Sequence, residues 1–496
     1  MLTDQEKSLP QYIQDEMVSY LYTNGLIMPR SDKKSVTHIP VTVYPSPIVK
    51  TFFDKMTFYQ IAFNKILDKL SRDQAYLEEI LGPMAEKDEF IKKNLEISKK
   101  AAAFEHKQKI QLNVFRNDYM VDKDKKFIYQ TNCVASGAEF GYFSDGIKKF
   151  YKYFLEKYPE IFAKYNGKEN ITVPYEKEDS LPAICDAMVE AIKLQFKEDF
   201  KSTVIVFVIP PNSNERQEFE IRAMENYLYE KHEIRTKRMT LCEIEKKCTV
   251  NETFDVVCEE KKVSLFYFRI PLDSKDFGEE DAWKAREKIE LSTAIKCPNI
   301  NTYLTSLKVV QHQLTKNDIL KKYINNEEIV NDILRFFQHN LLLKELTPEQ
   351  QKEILEKVTN NLNNYIIKCQ MKGELNICDG ESILTLIPSA DVPISDDIEN
   401  SIIIEKLNQC ENENIVLVEN KGIISKLISE YSAFGIILSN DSECVFNKSV
   451  SFLVRSQEML KIEGEIVDSE CIFNLPCLID MKINKEDTEP LKYSFE

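Results

Sequence analysis

The stretch Thr203-Val204-Ile205-Val206-Phe207-Val208-Ile209 constrains the fold more than any other segment of the chain. After Thr203 it has no polar residue and no alternation, so it has no solvent face and suits a strand covered on both sides, as in a parallel sheet between helices. Helices are expected on either side. Ile184, Ala187, Met188, Ala191 and Ile192 recur at helical spacing after Ser180-Leu181-Pro182, which reads as a capped helix start, and a second helix is expected over 215–231. With a further strand from Val263 to Ile270 these elements make an α/β lobe, bounded at about residues 200 and 305.

The flanking regions read differently. From about Gln14 to His106 the pattern is helical, broken by the loop Arg30 to His38 and by the segment Pro40 to Pro47. Phe127 to Thr131 reads as a short strand, and 313–364 is again helical, with Pro348 starting a new helix. Beyond Tyr365 short β-rich runs follow closely: Ile366–Lys368, Ile402–Leu407, Ile415–Val418, Ile423–Tyr431, Phe434–Leu438 and Val450–Arg455, a spacing that suggests an antiparallel sheet. A chain of 496 residues divides into more than one lobe. The expected division is an N-terminal region over residues 1–200, an inserted lobe over residues 201–305 and a C-terminal region over residues 306–496 with a lid at about 371–390.

Lysine and arginine number 65 against 81 acids, for a net charge of -16, which argues against nucleic acid as a partner. The 12 cysteines run from Cys133 to Cys477 without a Cys-x-x-Cys pair, and His38, His106, His232, His312 and His339 lie far apart, so no zinc-type cluster is read. Free thiols in a reducing compartment are expected. No apolar run approaches the roughly 18 residues of a membrane span. The polar start Met1-Leu2-Thr3-Asp4-Gln5-Glu6-Lys7 lacks an apolar leader, and a chain whose leader had been removed would look the same. Glycine is scarce, at 12 residues, and glycine is what lets a backbone approach phosphates closely.

Tyr365-Ile366-Ile367-Lys368-Cys369-Gln370-Met371-Lys372-Gly373-Glu374 reads as a strand running into a phosphate-gripping loop. Phe115-Arg116-Asn117-Asp118-Tyr119-Met120, Gln130-Thr131-Asn132, Tyr267-Phe268-Arg269, Ala294-Ile295-Lys296-Cys297-Pro298, Lys308, Ile404-Glu405-Lys406, Ile428-Ser429-Glu430 and Leu453-Val454-Arg455 accompany it. With these strings in this order across nearly its whole length, the chain resembles eukaryotic glutathione synthetase. In its altered positions it is similar to the diverged glutathione synthetase-like proteins that some plant-parasitic nematodes secrete into hosts. The resemblance implies an ATP-grasp α/β fold with an inserted α/β substrate lobe and, here, a glycine-poor lid.

It also implies roles. Lys308 and Lys368 match lysines that meet the phosphates of ATP, where a lysine serves as a movable point charge. Gln370, Ile404, Glu405, Lys406, Glu430 and Gln457 fall at nucleotide-contacting positions, Gln457 in place of a lysine. Arg116, Arg269 and Arg455 match arginines that bind the carboxylates of a dipeptide, a task suited to the guanidinium fork. Ala135, Ser136, Gly137, Glu215, Gln217, Ile466 and Val467 match further peptide-contacting positions, and Lys368 and Arg455 are the implied catalytic residues. The implied magnesium site is degraded: Gln130 stands in place of a carboxylate beside the retained Asn132, and Lys372 replaces a second carboxylate. Magnesium leans on carboxylates, so its binding is expected to be weak or absent. A two-residue slip could bring Glu374 into the acid's place, or Lys372 could neutralise the γ-phosphate, and both remain open.

Two functions are therefore expected. One is a glutathione synthetase-like protein that binds ATP or ADP and a carboxylate-bearing γ-glutamyl peptide or amino acid, with weak or altered peptide ligase activity. The other is a non-catalytic binding or effector module on the same fold. Family analogy adds a homodimer, located in the cytoplasm or, if a leader has been removed, secreted and delivered to a host cell; neither nucleic acid nor membrane is an expected partner.

Overall fold

The computed structural model describes residues 9–30, 32, 34–105, 108–123, 127–135, 140–162, 172–175, 177–211, 218–270, 272–371, 374–387, 396–441, 443–458 and 471–479. Val204–Val208 is buried at all five positions and runs parallel to both neighbours, Arg235–Met239 and Lys261–Phe268. Ile295–Cys297 adds in parallel to 261–268, and two short antiparallel strands complete the sheet. The helices Ser180–Phe196 and Glu218–His232 accompany it, residues 215–217 of the expected second helix lying outside the described residues.

The start of the 180–196 helix departs from the expected Ser180 cap. The Ser180 hydroxyl has no partner; instead Asp145, from the helix Gly141–Lys157, accepts from the backbone N–H groups of Ser180 and Leu181 at 2.7 and 2.9 Å. Burial pushes the Asp145 carboxyl up to about 7 against the pull of those N–H groups. The cap is tertiary, so no local pattern announces it.

Two further sheets position the site. Asn340–Leu342, Ile402–Glu405, Tyr365–Met371 and Glu374–Asp379 pair antiparallel in that order. The larger sheet runs Glu411–Val418, Val41–Thr42, Ile472–Asn474, Glu443–Glu458, Lys421–Asn440, Ile110–Asp122, Phe127–Val134. Because 411–418 also pairs with 421–440, five of these strands close on themselves. The two strands expected at 423–431 and 434–438 are one strand of 20 residues, sustained by long partners on either side that short-range patterning does not reveal. At its middle the helix Lys50–Arg72 crosses so closely that a Cβ on Gly435 would stand 2.2 Å from Asn64 Oδ1. The expected loop at 30–38 holds one strand of a small hairpin, Ile27–Pro29 against Val36–His38, and the expected helical region 313–364 contains the 340–342 strand. No helix among the described residues is long and apolar enough to cross a membrane.

Candidate functional site

A cleft opens where the four-stranded sheet meets the 127–134 strand. That strand brings Gln130, Thr131 and Asn132; the helix Lys308–Gln313 brings Lys308 and His312; the 365–371 strand brings Lys368; and Phe337, Ile402 and Ile404 make an apolar wall. Lys308 Nζ donates to Asn132 Oδ1 and, at 3.2 Å, to Gln311 Oε1, while Lys368 Nζ donates to the Thr131 carbonyl at 3.0 Å. Two buried ammonium groups from different elements thus converge on consecutive residues of one strand. No carboxylate lines the cleft among the described residues. Two lysines that line one cleft beside an apolar wall make it a suitable place for an anion.

Whether the same residues suit magnesium follows from their hydrogen-bond roles. Asn447 Nδ2 donates to the Ile61 carbonyl at 2.8 Å, and Asn64 Nδ2 donates to the Lys448 carbonyl at 3.1 Å and to Asn447 Oδ1 at 2.8 Å. Gln60 Nε2 then donates to Asn64 Oδ1 at 2.9 Å, Asn117 Nδ2 to Gln60 Oε1 at 2.9 Å, and Gln130 Nε2 to Asn117 Oδ1 at 2.6 Å. The two backbone carbonyls accept only, so they fix the direction of this amide relay at one end, and each amide passes it on. Position 130 must donate; a glutamate there would set a carboxylate against Asn117 Oδ1. Asn132 Oδ1 is already engaged by the Lys308 ammonium. These residues do not fit magnesium, which normally takes one or two carboxylates. Among the described residues no group of three His, Cys, Asp or Glu side chains could hold a metal ion.

Beyond Thr131 the charge pattern changes. Its hydroxyl reaches Glu430 Oε1 at 2.5 Å, and Glu430 Oε2 accepts from Arg455 Nη2. Arg455 also lies 2.9 Å from Asp118 Oδ2, and Arg116 grips both oxygens of Asp118 at 3.0 and 3.2 Å. Burial pushes the Asp118 carboxyl up, but the Arg116 and Arg455 guanidiniums outweigh it and hold the group below the usual carboxylate range. Arg269 donates to Glu220 at 2.7 Å, and Glu220 also accepts from the backbone N–H groups of Phe140 and Tyr142. All three arginines expected to bind ligand carboxylates are buried against carboxylates of the chain itself.

The other expected site residues are dispersed. Ile404 belongs to the cleft wall; the Glu405 carbonyl accepts from Gln338 Nε2; the Lys406 N–H donates to the Asn364 carbonyl at 2.7 Å and its ammonium lies 3.5 Å from Asp379. Gln457 lines a separate cavity with Val416, Val418 and Ile472, and Ala135 is buried just past the end of the 127–134 strand. Ser136, Gly137, Glu215, Gln217, Ile466, Val467 and Lys372, with the side chains of Gln370 and Glu374, lie outside the described residues.

Sequence reasoning missed His312 and Asn340 as cleft residues. His312 follows Lys308 by one helical turn and so shares its face, a signal that was present; Asn340 carries none.

The profile of the ATP-binding domain of eukaryotic glutathione synthase matches residues 7–478. Glutathione synthetase of Dictyostelium discoideum is 26% identical over 465 residues, covering 90% of this chain and 94% of that protein. The Xenopus laevis enzyme is 24% identical, covering 90% and 91%. The apo structure of a glutathione synthetase-like effector from Globodera pallida superposes with a TM-score of 0.72 at 16% identity, covering 97% of this chain and all of that one, a likeness of fold.

Proposed function

Because this chain belongs to the eukaryotic glutathione synthase family, we propose that its cleft binds adenine nucleotide, without help from magnesium at Gln130 and Asn132. The observation that carries the reading is the convergence of Lys308 and Lys368 on residues 131–132 beside the wall of Phe337, Ile402 and Ile404: paired cations for phosphates, apolar surface for a base. Family membership suggests a second, carboxylate-bearing ligand of γ-glutamyl peptide or amino-acid type at Arg116, Arg269 and Arg455. Such a ligand competes with Asp118, Glu220 and Glu430 for the guanidiniums. Peptide ligation is weak or altered, because charge neutralisation at the transferring phosphoryl group is a main catalytic contribution and no acid lines the cleft among the described residues to hold a metal there. A thermal scan tests nucleotide binding: ATP or ADP at about a hundred times its dissociation constant stabilises by roughly 2.7 kcal/mol, and no upward shift would sink the reading.

A second reading is a binding or effector module without turnover, again as a homodimer by family analogy. The Lys308–Asn132 contact favours it, since it places a cation on the one retained metal-ligand position. Phosphate release from ATP, measured against a panel of γ-glutamyl peptides and amino acids, separates the two.

A further inference from the structure

A second cavity, which shares no lining residue with the cleft, lies between the parallel-sheet lobe and the region that precedes it in the chain. The lobe contributes Glu290, at the end of the helix Glu280–Glu290, Lys296, from the 295–297 strand, and Asn299; the other side is made by Arg72, at the end of the 50–72 helix, Ser98, from the helix Glu89–Ala103, and Gln111, from the 110–122 strand. Its volume is about 280 Å³, just below the roughly 300–1,000 Å³ of sites that take drug-sized ligands, so an occupant is small. Strand alternation sends Ile295 and Cys297 into one core cluster and Lys296 to the opposite face. The Lys296 N–H donates to Gln108 Oε1 at 3.1 Å, which sets the start of the 110–122 strand against it. Lys296 Nζ donates to the Ser292 carbonyl at 2.7 Å, and burial pulls the ammonium down to about 8 against the attraction of Glu290. The other charges are matched: Glu290 lies 2.8 Å from Arg286, and Arg72 lies 3.3 Å from Asp68. Arg72, Arg286 and Lys296 thus stand against Asp68 and Glu290, an excess of one positive charge. Gln111 is more than nine-tenths buried, and its Oε1 has no hydrogen-bond partner. A buried acceptor left bare is costly until a donor meets it.

We propose that this cavity is a ligand site separate from the nucleotide cleft, and that it takes a small monocarboxylate carrying an uncharged hydrogen-bond donor, a hydroxy acid: the carboxylate meets the Lys296 ammonium and the hydroxyl donates to Gln111 Oε1. A monoanion cancels the excess positive charge, which a zwitterionic amino acid would leave in place. Lys296 is the charged residue of the string Ala294-Ile295-Lys296-Cys297-Pro298 and does not line the cleft, so the nucleotide reading leaves it without a role. The proposal does not depend on that reading.

Lactate and propionate, which differ by the hydroxyl, are titrated into the full chain and followed by ligand-observed NMR, with alanine as the zwitterion of similar shape. Lactate is expected to bind roughly severalfold more tightly than propionate, the worth of one hydrogen bond, and more tightly than alanine. Lys296→Met weakens lactate and propionate alike by about tenfold, since both lose the charge-assisted contact. Gln111→Leu removes the preference for lactate over propionate and leaves propionate affinity within about twofold of the parent. General loosening of the fold would not produce that split, so Gln111→Leu decides the matter even where Lys296→Met does not fold. No binding of lactate, a lactate preference that survives Gln111→Leu, unchanged affinities in Lys296→Met, or tighter binding of alanine than of lactate would each overturn the proposal.

Discussion

On one side of Thr131, Arg116 and Arg455 share Asp118, Arg455 also holds Glu430, and Arg269, just past the 261–268 strand of the parallel sheet, holds Glu220; on the other side Lys308 and Lys368 meet the oxygens of Asn132, Gln311 and Thr131. The arginine side carries its own counter-charges inside the fold. The lysine side faces a cleft whose described lining has no acid. Removing one partner of an internally matched buried pair is costly to the fold, whereas charge that lines a cleft bears first on what binds there. The two sides should therefore respond in opposite ways to removal of a charge.

The largest effect is expected at Asp118, the carboxylate that two guanidiniums share. Asp118→Asn takes from Arg116 and Arg455 the carboxylate they share, and removing one partner from a buried ion-pair network costs about 3–5 kcal/mol. Chemical denaturation measures it. A loss below about 1 kcal/mol would mean that the arginine side is not structural and that its guanidiniums are open to ligand carboxylates.

Gln130→Glu comes next and probes the boundary between the halves. The carboxylate would face Asn117 Oδ1, whose direction is set through Gln60, Asn64 and Asn447, so an acceptor is left without a donor at a cost of about 1–3 kcal/mol. The variant, alone or with Lys372→Glu, is not expected to bind magnesium more tightly than the parent. Titration of ATP with and without magnesium would break the comparison if the metal strengthened binding in the variant only.

How much of this could be read from the residues follows the reach of each interaction. The 204–208 strand was legible because a strand buried on both faces marks itself in consecutive residues, and the family match across residues 7–478 agrees with the fold implied by the ordered strings. The helix start at Ser180 was legible but its cap was not, since Asp145 lies 35 residues away. The amide relay joins Gln60 to Asn447, and the His312 contacts span 28 and 33 residues; neither has a periodicity to detect. Arg116, Arg269 and Arg455 were picked out by resemblance, but that each is matched by an acid of the chain becomes visible only when the sheets bring 116, 118, 430 and 455 together.

Lys368→Met tests the lysine side. The ammonium lines the cleft and donates to the Thr131 carbonyl, so its removal is expected to act on ligand binding more than on folding. Nucleotide affinity should fall about tenfold, which is about 1.4 kcal/mol. Unfolding and binding are followed on the same sample. A variant that loses stability while keeping affinity would move Lys368 to the structural side.

The smallest effect concerns Glu345, the acid that holds His312 and Lys316. Its folded carboxyl lies at about 2 against an ordinary 4.5, so the group binds fewer protons folded than unfolded between those values. The stability it contributes is complete above about pH 4.5 and is lost as pH falls towards about 2. Because Glu345 and Lys316 are each about a third exposed, solvent screens most of this, and roughly 0.5–1 kcal/mol is expected rather than the full linkage value. Glu345→Gln should therefore make acid unfolding slightly shallower than in the parent.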